Sequence, residues 1–310
     1  MDAHRPDRLT LAAFAATVVF LGSNFVAVRF SNQELAPFWG GAVRFALATV
    51  ILVAIVAGRR IAWPRGKALV GAVLFGLLAF AANFGLLYWA LRPGGVPAGV
   101  ASIVYATIPL TTFVLAVAMG MERFRWAGLA GAVVVVAGTG LVVLSSRQAA
   151  VPLGPLLAVV AASLCAAMSG IVVKRTPRSH PLAFNAVAMA VGASVLYAAC
   201  RIQGDVRAIP QLQATWLALA WLVASSIVAF GLMVWILGRW TASAQAYSGV
   251  LAPMVTIPVA AWLSHETVGA SFAAGAVLVL AGVYVGTIWG VRRPPVAPPV
   301  PAASPPQPRT

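Results

Sequence analysis

The sequence predicts an all-α membrane protein in which ten transmembrane helices form two inverted five-helix repeats. Of its 310 residues, 61% are hydrophobic and 9% are charged, about a third of the charged fraction that is usual in soluble domains. The chain also repeats itself, because segment 95–142 recurs 144 positions later as 239–286. Residue pairs that match at this offset are Pro109 and Pro253, Thr112 and Thr256, Glu122 and Glu266, Gly131 and Gly275, and Gly138 and Gly282.

Ten stretches of membrane length, uncharged except for Arg44, follow one another along the chain. Each is near or above the roughly 20 residues that cross a bilayer. They are 9–28, 35–58, 68–91, 93–121, 126–146, 148–173, 181–200, 208–238, 240–264 and 267–291. Five stretches fall in each copy, and this odd number predicts that the second copy enters the membrane with the opposite orientation.

These spans divide the chain into five parts. We expect a cytoplasmic N-terminal segment at 1–8, a first five-helix repeat at 9–146, an external linker at 147–152 and a second repeat at 153–290. The remaining segment, 291–310, contains eight prolines within its last seventeen residues. Because proline interrupts helices, this segment is predicted to be a disordered cytoplasmic tail.

The basic residues indicate the orientation of the chain in the membrane. With the N-terminus inside, fifteen of the 21 lysines and arginines fall on the cytoplasmic side, five fall outside, and Arg44 lies within a span. This threefold bias predicts that both termini are cytoplasmic. A net charge of +15 would indicate a nucleic-acid partner in a soluble protein. Here the charges lie in short loops beside the spans, so the expected partner is the lipid bilayer.

Pro109 and Pro253 occupy equivalent positions in the fourth and ninth spans. A proline inside a membrane helix frees a carbonyl group, which is tolerated only where protein or a water-filled cavity satisfies it. We therefore interpret both prolines as conformational hinges and expect both helices to be kinked or opened there. The alternative is a kink that serves only helix packing.

Residues 102–142, beginning SIVYATIPLTTFVLAVAMGMERF, resemble the drug/metabolite transporter superfamily in its ten-helix EamA branch. An internal proline, Pro109, precedes the Glu122–Arg123 turn and a glycine-rich helix, and the second copy repeats this order. The segment FLGSNF at 20–25 resembles the family's Trp-Gly-Ser-Asn-Phe segment, with Leu21 where tryptophan is usual. Arg44 and Phe45 form a family-like Arg-Phe pair. The resemblance covers about residues 9 to 290.

The resemblance implies a carrier of the bacterial inner membrane that exports amino acids or related metabolites through a cavity between its two halves. Within the branch, the sequence is most similar to exporters of aromatic amino acids. A carrier for sugars or other small metabolites is the main alternative, and a membrane scaffold or enzyme is a more distant one. We expect no catalytic residue, metal or cofactor. The functional unit is expected to be a monomer, with dimer contacts through Gly282, Gly286 and Gly290 as the alternative.

Polar side chains within the spans are the candidates for solute binding, because an apolar cavity needs a few hydrogen-bonding groups to hold a polar solute. Tyr105 and Gln245 lie on the equivalent proline-containing stripes and are the preferred pair. The other candidates are Asn24, its near-equivalent Ser169, Asn83 on one helix face with Phe80, and Trp235 as part of the cavity wall. The alternative for each is hydrogen bonding or packing between helices.

Arg44 is the only basic residue well inside a span. Its side chain could extend outward to the interface, bind a substrate carboxylate, or cap carbonyl groups of a broken helix. Because the Arg-Phe pair occurs in the family whatever the solute, a structural role is favoured.

The acidic residues and histidines all fall in tails, loops or span ends. Proton coupling usually relies on a carboxylate or a histidine within the membrane. The sequence therefore predicts facilitated, gradient-driven passage by movement of the two halves, with Glu266 and His265 as an alternative proton-linked pair.

Overall fold

A computed structural model describes residues 8–119, 126–145, 151–237, 242–263 and 269–285, and the regular structure in these ranges is entirely helical. An all-α membrane protein, as predicted from the sequence, is confirmed. The helices in chain order are α1 (Arg8–Ser31), α2 (Pro37–Gly58), α3 (Lys67–Phe75), a π-helical segment (Gly76–Asn83), α4 (Phe84–Ala90), α5 (Ala98–Tyr105), α6 (Ile108–Ala118), α7 (Trp126–Ser145), α8 (Leu153–Arg175), α9 (Pro181–Gln203), α10 (Gln213–Leu237), α11 (Ala242–Leu263) and α12 (Ala270–Tyr284). The predicted tail, 291–310, lies outside the described residues.

Six of the described helical stretches are long and apolar enough to cross a membrane, and four more are shorter but also apolar. The long ones are Arg8–Ser31, Pro37–Gly58, Lys67–Ala90, Leu153–Val173, Pro181–Gln203 and Gln213–Met233. Large apolar side chains are exposed on the outside of the bundle, including Trp126 and Trp262 at 77% each. Exposed apolar surface on this scale is stable only against lipid or a partner protein, which fits a multi-pass membrane protein.

Local sequence signals set several helix ends. Pro37 and Pro181 lie in the first turns of α2 and α9, where the missing N–H costs nothing. The His180 imidazole accepts a hydrogen bond from the Leu182 N–H at 3.3 Å and so caps α9. Gly204 ends the same helix with a φ of 69°, a left-handed conformation that suits glycine.

The third and fourth spans depart from regular α-helix. In the third span, residues Gly76–Asn83 form a π-helical segment between α3 and α4. In the fourth span, α5 ends at Tyr105 and α6 begins at Ile108, with Pro109 in its first turn. The predicted opening at Pro109 is therefore present as a break.

The ninth span does not open in the same way. Helix α11 continues through both Pro253 and Pro258, so it is not opened at Pro253 as the fourth span is before Pro109, and the hinge role of Pro253 stays a prediction. Pro253 is buried, and the adjacent turn is held by the Thr256 hydroxyl, which donates to the Gly22 carbonyl of α1 at 2.7 Å. This bond joins the part of α11 that follows Pro253 to α1.

The helices of each half pack mainly against helices of the other half. Helix α1 packs on α10 and α11, while its repeat equivalent α8 packs on α3 to α6. Helix α2 packs on its equivalent α9, and α7 packs on its equivalent α12. If each of these helices is replaced by its equivalent in the other repeat, every pairing named above becomes a pairing that is also observed. The helix packing therefore shows the same duplication as the sequence.

Glycines allow α7 and α12 to cross closely. A Cβ atom added to Gly138 would lie 2.8 Å from Val279 N and 2.9 Å from the Gly275 carbonyl oxygen. A Cβ atom added to Gly282 would lie 2.9 Å from the Gly131 carbonyl oxygen and 2.9 Å from Val135 N. The four glycines that match at the repeat offset therefore meet at one crossing. Gly282 therefore packs against α7 of the same chain.

We expect Gly138→Ala and Gly282→Ala each to lower the free energy of unfolding by about 1–3 kcal/mol, because the new methyl group overpacks the crossing. Gly140 is the matched control, since an added Cβ there meets nothing within 4 Å and alanine is the better helix former. Equilibrium unfolding in mixed detergent micelles measures the difference. Equal stability of Gly138→Ala and Gly140→Ala would contradict the close crossing.

A carboxylate joins two loops at one end of the bundle. Glu34, between α1 and α2, accepts hydrogen bonds from the N–H groups of Gln211 at 3.0 Å and Leu212 at 2.9 Å, just before α10. The nearby Thr215 hydroxyl and these N–H groups hold the pKa of Glu34 below its ordinary value of 4.5, although desolvation acts in the opposite direction. The Trp39 indole adds a bond to the Ala208 carbonyl at 2.8 Å.

We expect Glu34→Gln to lower the thermal midpoint at pH 7, because the neutral amide is a weaker acceptor for these donors. A lowered folded-state pKa stabilises the protein above the unfolded-state pKa, and this stabilisation is lost as the pH falls through the folded value. The difference in thermal midpoint between wild type and variant should therefore shrink as the pH falls below 4.5 and through the lowered pKa of Glu34. A gap that is the same at pH 7 and pH 3 would show that the Glu34 charge does not stabilise the loops.

Candidate functional site

The two helix irregularities are joined by a hydrogen bond. The Tyr105 hydroxyl, at the end of α5, donates to Asn83 Oδ1, at the end of the π-helical segment, at 2.7 Å. Asn83 Nδ2 donates to the Ala79 carbonyl at 3.0 Å, which satisfies an acceptor within that segment. The Phe25 ring of α1 packs edge-on against the Tyr105 ring, with centroids 5.4 Å apart. An amide, a phenol and an aromatic ring therefore meet where two spans depart from α-helix.

A second polar contact links α1 with α10. The Ser225 hydroxyl donates to Asn24 Oδ1 at 2.7 Å, and both side chains are buried. The neighbouring Ser23 points elsewhere and accepts a hydrogen bond from the half-exposed Trp221 indole at 2.9 Å. Asn24 is thus the residue of this pair that faces the protein interior.

Arg44 of α2 lies between the two halves and is fully buried. Its Nε donates to the Ser226 hydroxyl of α10 at 2.8 Å. The guanidinium carbon lies 5.0 Å from the centroid of the Phe45 ring and 4.7 Å from that of Phe84. The alternative in which Arg44 extends outward to the interface is wrong, because the side chain is anchored inside the bundle by a serine of the other half.

An aromatic cluster surrounds this arginine. Phe80 is fully buried in the π-helical segment, and its ring lies 5.0 Å from both Phe45 and Phe230 between centroids. Phe45 also packs against Phe84 at 5.2 Å. The edge-to-face arrangements are those that aromatic pairs prefer. The rings come from α2, the third span and α10, so this cluster also joins the two halves.

The other predicted site residues either make no described contact with the Tyr105–Asn83 pair or have side chains outside the described residues. Ser169 is buried in α8 and donates to the Ala166 carbonyl of its own helix at 2.7 Å. Trp235 is half-buried near the end of α10. The Gln245 side chain lies outside the described residues, although its backbone is part of α11, and the same holds for the Pro109 side chain of α6. The preferred pair of Tyr105 and Gln245 therefore stays a prediction.

Pro253 lies beside a separate apolar pocket between α5, α11 and α12. The pocket has a volume of about 290 Å³ including its opening, and its lining is made by Ile103, Ala106, Pro253, Met254, Ile257, Ala276, Val279 and Leu280. Met254 is 63% exposed on the outside of the bundle. The pocket therefore faces the apolar surroundings of the protein and lacks the groups that would hold a polar solute.

Sequence reasoning did not select Ser225, Ser226, Tyr88 or Phe84. A signal was available for the serines, because two adjacent hydroxyls interrupt the apolar run 208–238. No such signal marked Tyr88 and Phe84, whose proximity to Arg44 depends on how α4 packs against α2.

Comparisons with known proteins place this architecture among transporters. The pattern of the EamA-like transporter family matches residues 8–144 and 153–288. A protein of Escherichia coli K12 called "Uncharacterized inner membrane transporter YedA" is 27% identical over 302 residues, which are 94% of this chain and 96% of that protein. A "Probable amino-acid metabolite efflux pump" of the same organism is 27% identical over 289 residues, 89% of this chain and 93% of the pump.

Two further likenesses are more limited. A "Probable terminal-alkyne amino-acid exporter" of Streptantibioticus cattleyicolor is 29% identical over 137 residues, 44% of this chain and 46% of the exporter. One solved structure, described only as a crystal structure of a protein, matches with a TM-score of 0.65 over 92% of this chain and 98% of its own. At 19% identity, it supports the fold alone. Since the family pattern covers most of both halves, the chain belongs to the EamA-like transporter family and is a membrane transporter rather than an enzyme.

Proposed function

We propose that this protein exports small neutral or zwitterionic metabolites, most of all amino acids including aromatic ones, across the bacterial inner membrane. The observation that carries the proposal is the Tyr105–Asn83 pair, which holds a phenol and an amide beside the Phe25 ring at the junction of two irregular spans. An apolar site with a few fixed hydrogen-bonding groups suits a solute that has both an apolar side chain and polar ends.

Two of the relatives support the choice of solute class. The names of the Escherichia coli pump and the Streptantibioticus exporter both contain the word amino-acid. The identities of 27% and 29% indicate common ancestry of the carrier. These identities do not determine which amino acid is transported.

Alternating access between two inverted halves is the proposed mechanism. Five membrane-length segments in each copy make the second copy opposite in orientation, which is typical of carriers with a central site. The pairing of equivalent helices, α2 with α9 and α7 with α12, supports a movement in which the halves exchange roles. Ser225 and Ser226 bond to Asn24 and Arg44 of the other half, so such a movement would remake contacts at the site itself.

We propose a monomer as the functional unit. Of the three glycines that could have supported a dimer, Gly282 is covered by α7 of the same chain, while Gly286 and Gly290 lie outside the described residues. The breaks and close crossings that a carrier needs thus lie within one chain.

Counterflow of labelled phenylalanine, tryptophan, methionine and threonine in proteoliposomes tests the proposed solute class. We expect saturable exchange by wild type. Tyr105→Phe should reduce exchange about fivefold, because it removes one hydrogen bond worth about 1 kcal/mol. Gln245→Ala should also weaken exchange. Tyr284→Phe is the matched control, because Tyr284 is 55% exposed on α12.

Two results would contradict parts of this proposal. If folded wild-type protein exchanges none of the four amino acids, a carrier for sugars or other metabolites becomes the favoured hypothesis. If exchange occurs and Tyr105→Phe behaves like Tyr284→Phe, the solute site lies away from the Tyr105–Asn83 pair.

The placement of acidic residues generates a prediction about energy coupling. Glu34 and Asp205, the acidic residues within the described ranges, both lie in loops between helices. Proton-coupled carriers usually place an ionisable group within the membrane. We therefore expect solute flux to be unchanged by a pH gradient across the proteoliposome membrane.

Solute accumulation driven by an imposed pH gradient would contradict this expectation. Glu266→Gln and His265→Ala would then identify whether the pair at 265–266 carries the coupling. A preset solute gradient without a pH difference provides the control in the same vesicles.

A further inference from the structure

A buried positive charge lies inside the bundle without its full set of hydrogen-bond partners. The Arg44 side chain is fully buried, and only Nε has a hydrogen bond, to Ser226. The terminal nitrogens Nη1 and Nη2 have none among the described residues. A guanidinium cannot lose its charge at neutral pH, so it cannot relieve this cost by deprotonation.

A third unused donor lies beside the guanidinium. The Tyr88 hydroxyl of α4 lies close to the Arg44 side chain, and it is buried without a hydrogen-bond partner in the described part of the chain. Tyr88 itself is fully buried, with its ring packed against Gly40 and Gly41 of α2. The two terminal guanidinium nitrogens and the Tyr88 hydroxyl thus lack a hydrogen-bond partner within the described part of the chain.

The surroundings fix the direction in which Arg44 can bind. Phe45 and Phe84 contact the guanidinium through their rings, and Ser226 occupies Nε. The remaining edge, with Nη1 and Nη2, is the part of the fork that pairs with two oxygens of a planar anion. A carboxylate matches that edge and retains a lone pair for the Tyr88 hydroxyl.

The described helices offer no internal counter-ion. Glu34 and Asp205 lie in loops, and unpaired ionisable residues within spans usually mark a functional site. Asn83 directly precedes Phe84, whose ring contacts the Arg44 guanidinium, and Asn83 in turn accepts the hydrogen bond from the Tyr105 hydroxyl. A solute carboxylate at Arg44 would thus have its remaining parts next to the amide, phenol and rings already described.

We propose that Arg44 and Tyr88 bind the carboxylate of the transported solute. This inference rests on the proposed function for the identity of the solute, while the anion site itself stands on the unpaired donors. Arg44 is fully buried in this conformation, so the proposal requires the surrounding helices to separate before a carboxylate can reach the guanidinium. A carboxylate is common to all amino acids, so recognition at Arg44 is independent of the side chain that the aromatic rings accept.

The experiment measures binding without transport, so its failure is distinguishable from a failure of the proposed function. Purified full-length protein in detergent is titrated with sodium benzoate, benzamide, chloride or nitrate at constant ionic strength, and the thermal midpoint is recorded. We expect benzoate to raise the midpoint saturably and benzamide, which lacks the negative charge, to leave it unchanged. Arg44→Gln should abolish the benzoate effect.

Two further variants keep the test informative if Arg44→Gln does not fold. Tyr88→Phe retains the charge and should weaken benzoate binding about tenfold, the expected loss of one hydrogen bond to an anion. Arg44→Lys should weaken it by at least a similar factor, because the ammonium lacks the fork. Arg201→Gln, an exposed arginine at the end of α9, is the control for surface charge and should bind benzoate normally.

Three outcomes would overturn the assignment. Equal midpoint shifts with benzoate and benzamide would show that the ring, not the carboxylate, is bound. Equal shifts with benzoate and chloride or nitrate would indicate a site for small inorganic anions. A full benzoate effect in folded Arg44→Gln or Tyr88→Phe would place the anion elsewhere.

Discussion

Hydrocarbon offers no partner to a backbone N–H or C=O group, and this constraint governs the structure. It explains why the described chain is helical and why departures from α-helix are buried in the bundle. The π-helical segment satisfies an acceptor through Asn83, and the break before Pro109 is lined by Thr107, whose hydroxyl donates to the Val104 carbonyl at 2.6 Å. The Tyr105–Asn83 bond then ties the two departures together. The groups that stabilise irregular backbone are thus also the polar groups of the candidate site.

The site lies between the halves because the helices pair across them. Its hydrogen bonds between halves are single contacts, Ser225 with Asn24 and Ser226 with Arg44. Bonds of this kind contribute about 0.5–1.5 kcal/mol each for neutral groups and somewhat more for charged ones. The glycine crossing of α7 and α12, by contrast, is close-packed backbone. The two halves are therefore closely packed at the α7–α12 crossing but joined by only a few hydrogen bonds at the site. This arrangement suits a movement in which the hydrogen bonds at the site break and re-form.

The sequence predicted the spans, the duplicated packing glycines and the opening at Pro109, because hydropathy and a fixed repeat offset encode them directly. It did not predict the π-helical segment, since nothing in GLLAFAAN distinguishes one helical hydrogen-bond pattern from another. Repeat symmetry also favoured Tyr105 with Gln245, whereas the described partner of Tyr105 is Asn83 from the adjacent span. That pairing depends on how the third and fourth spans meet. The repeat offset likewise did not predict that the fourth span breaks before Pro109 while α11 continues through Pro253.

The Arg44 charge has no counter-ion among the described helices, and in its proposed role it would determine which solutes the site accepts and how they lie. At an effective dielectric constant of about 20, an ammonium group about 7 Å away would be repelled by about 2 kcal/mol, and a carboxylate attracted by a similar amount. A difference of this size favours an anion-bearing end over a cationic end by well over tenfold. A zwitterion would therefore enter with its carboxylate towards α2, leaving its ammonium group for acceptors such as Asn83 Oδ1 and Asn24 Oδ1. Lipophilic cations lack a carboxylate and would meet only the repulsion, so in its proposed role Arg44 would both orient an amino acid and exclude such cations.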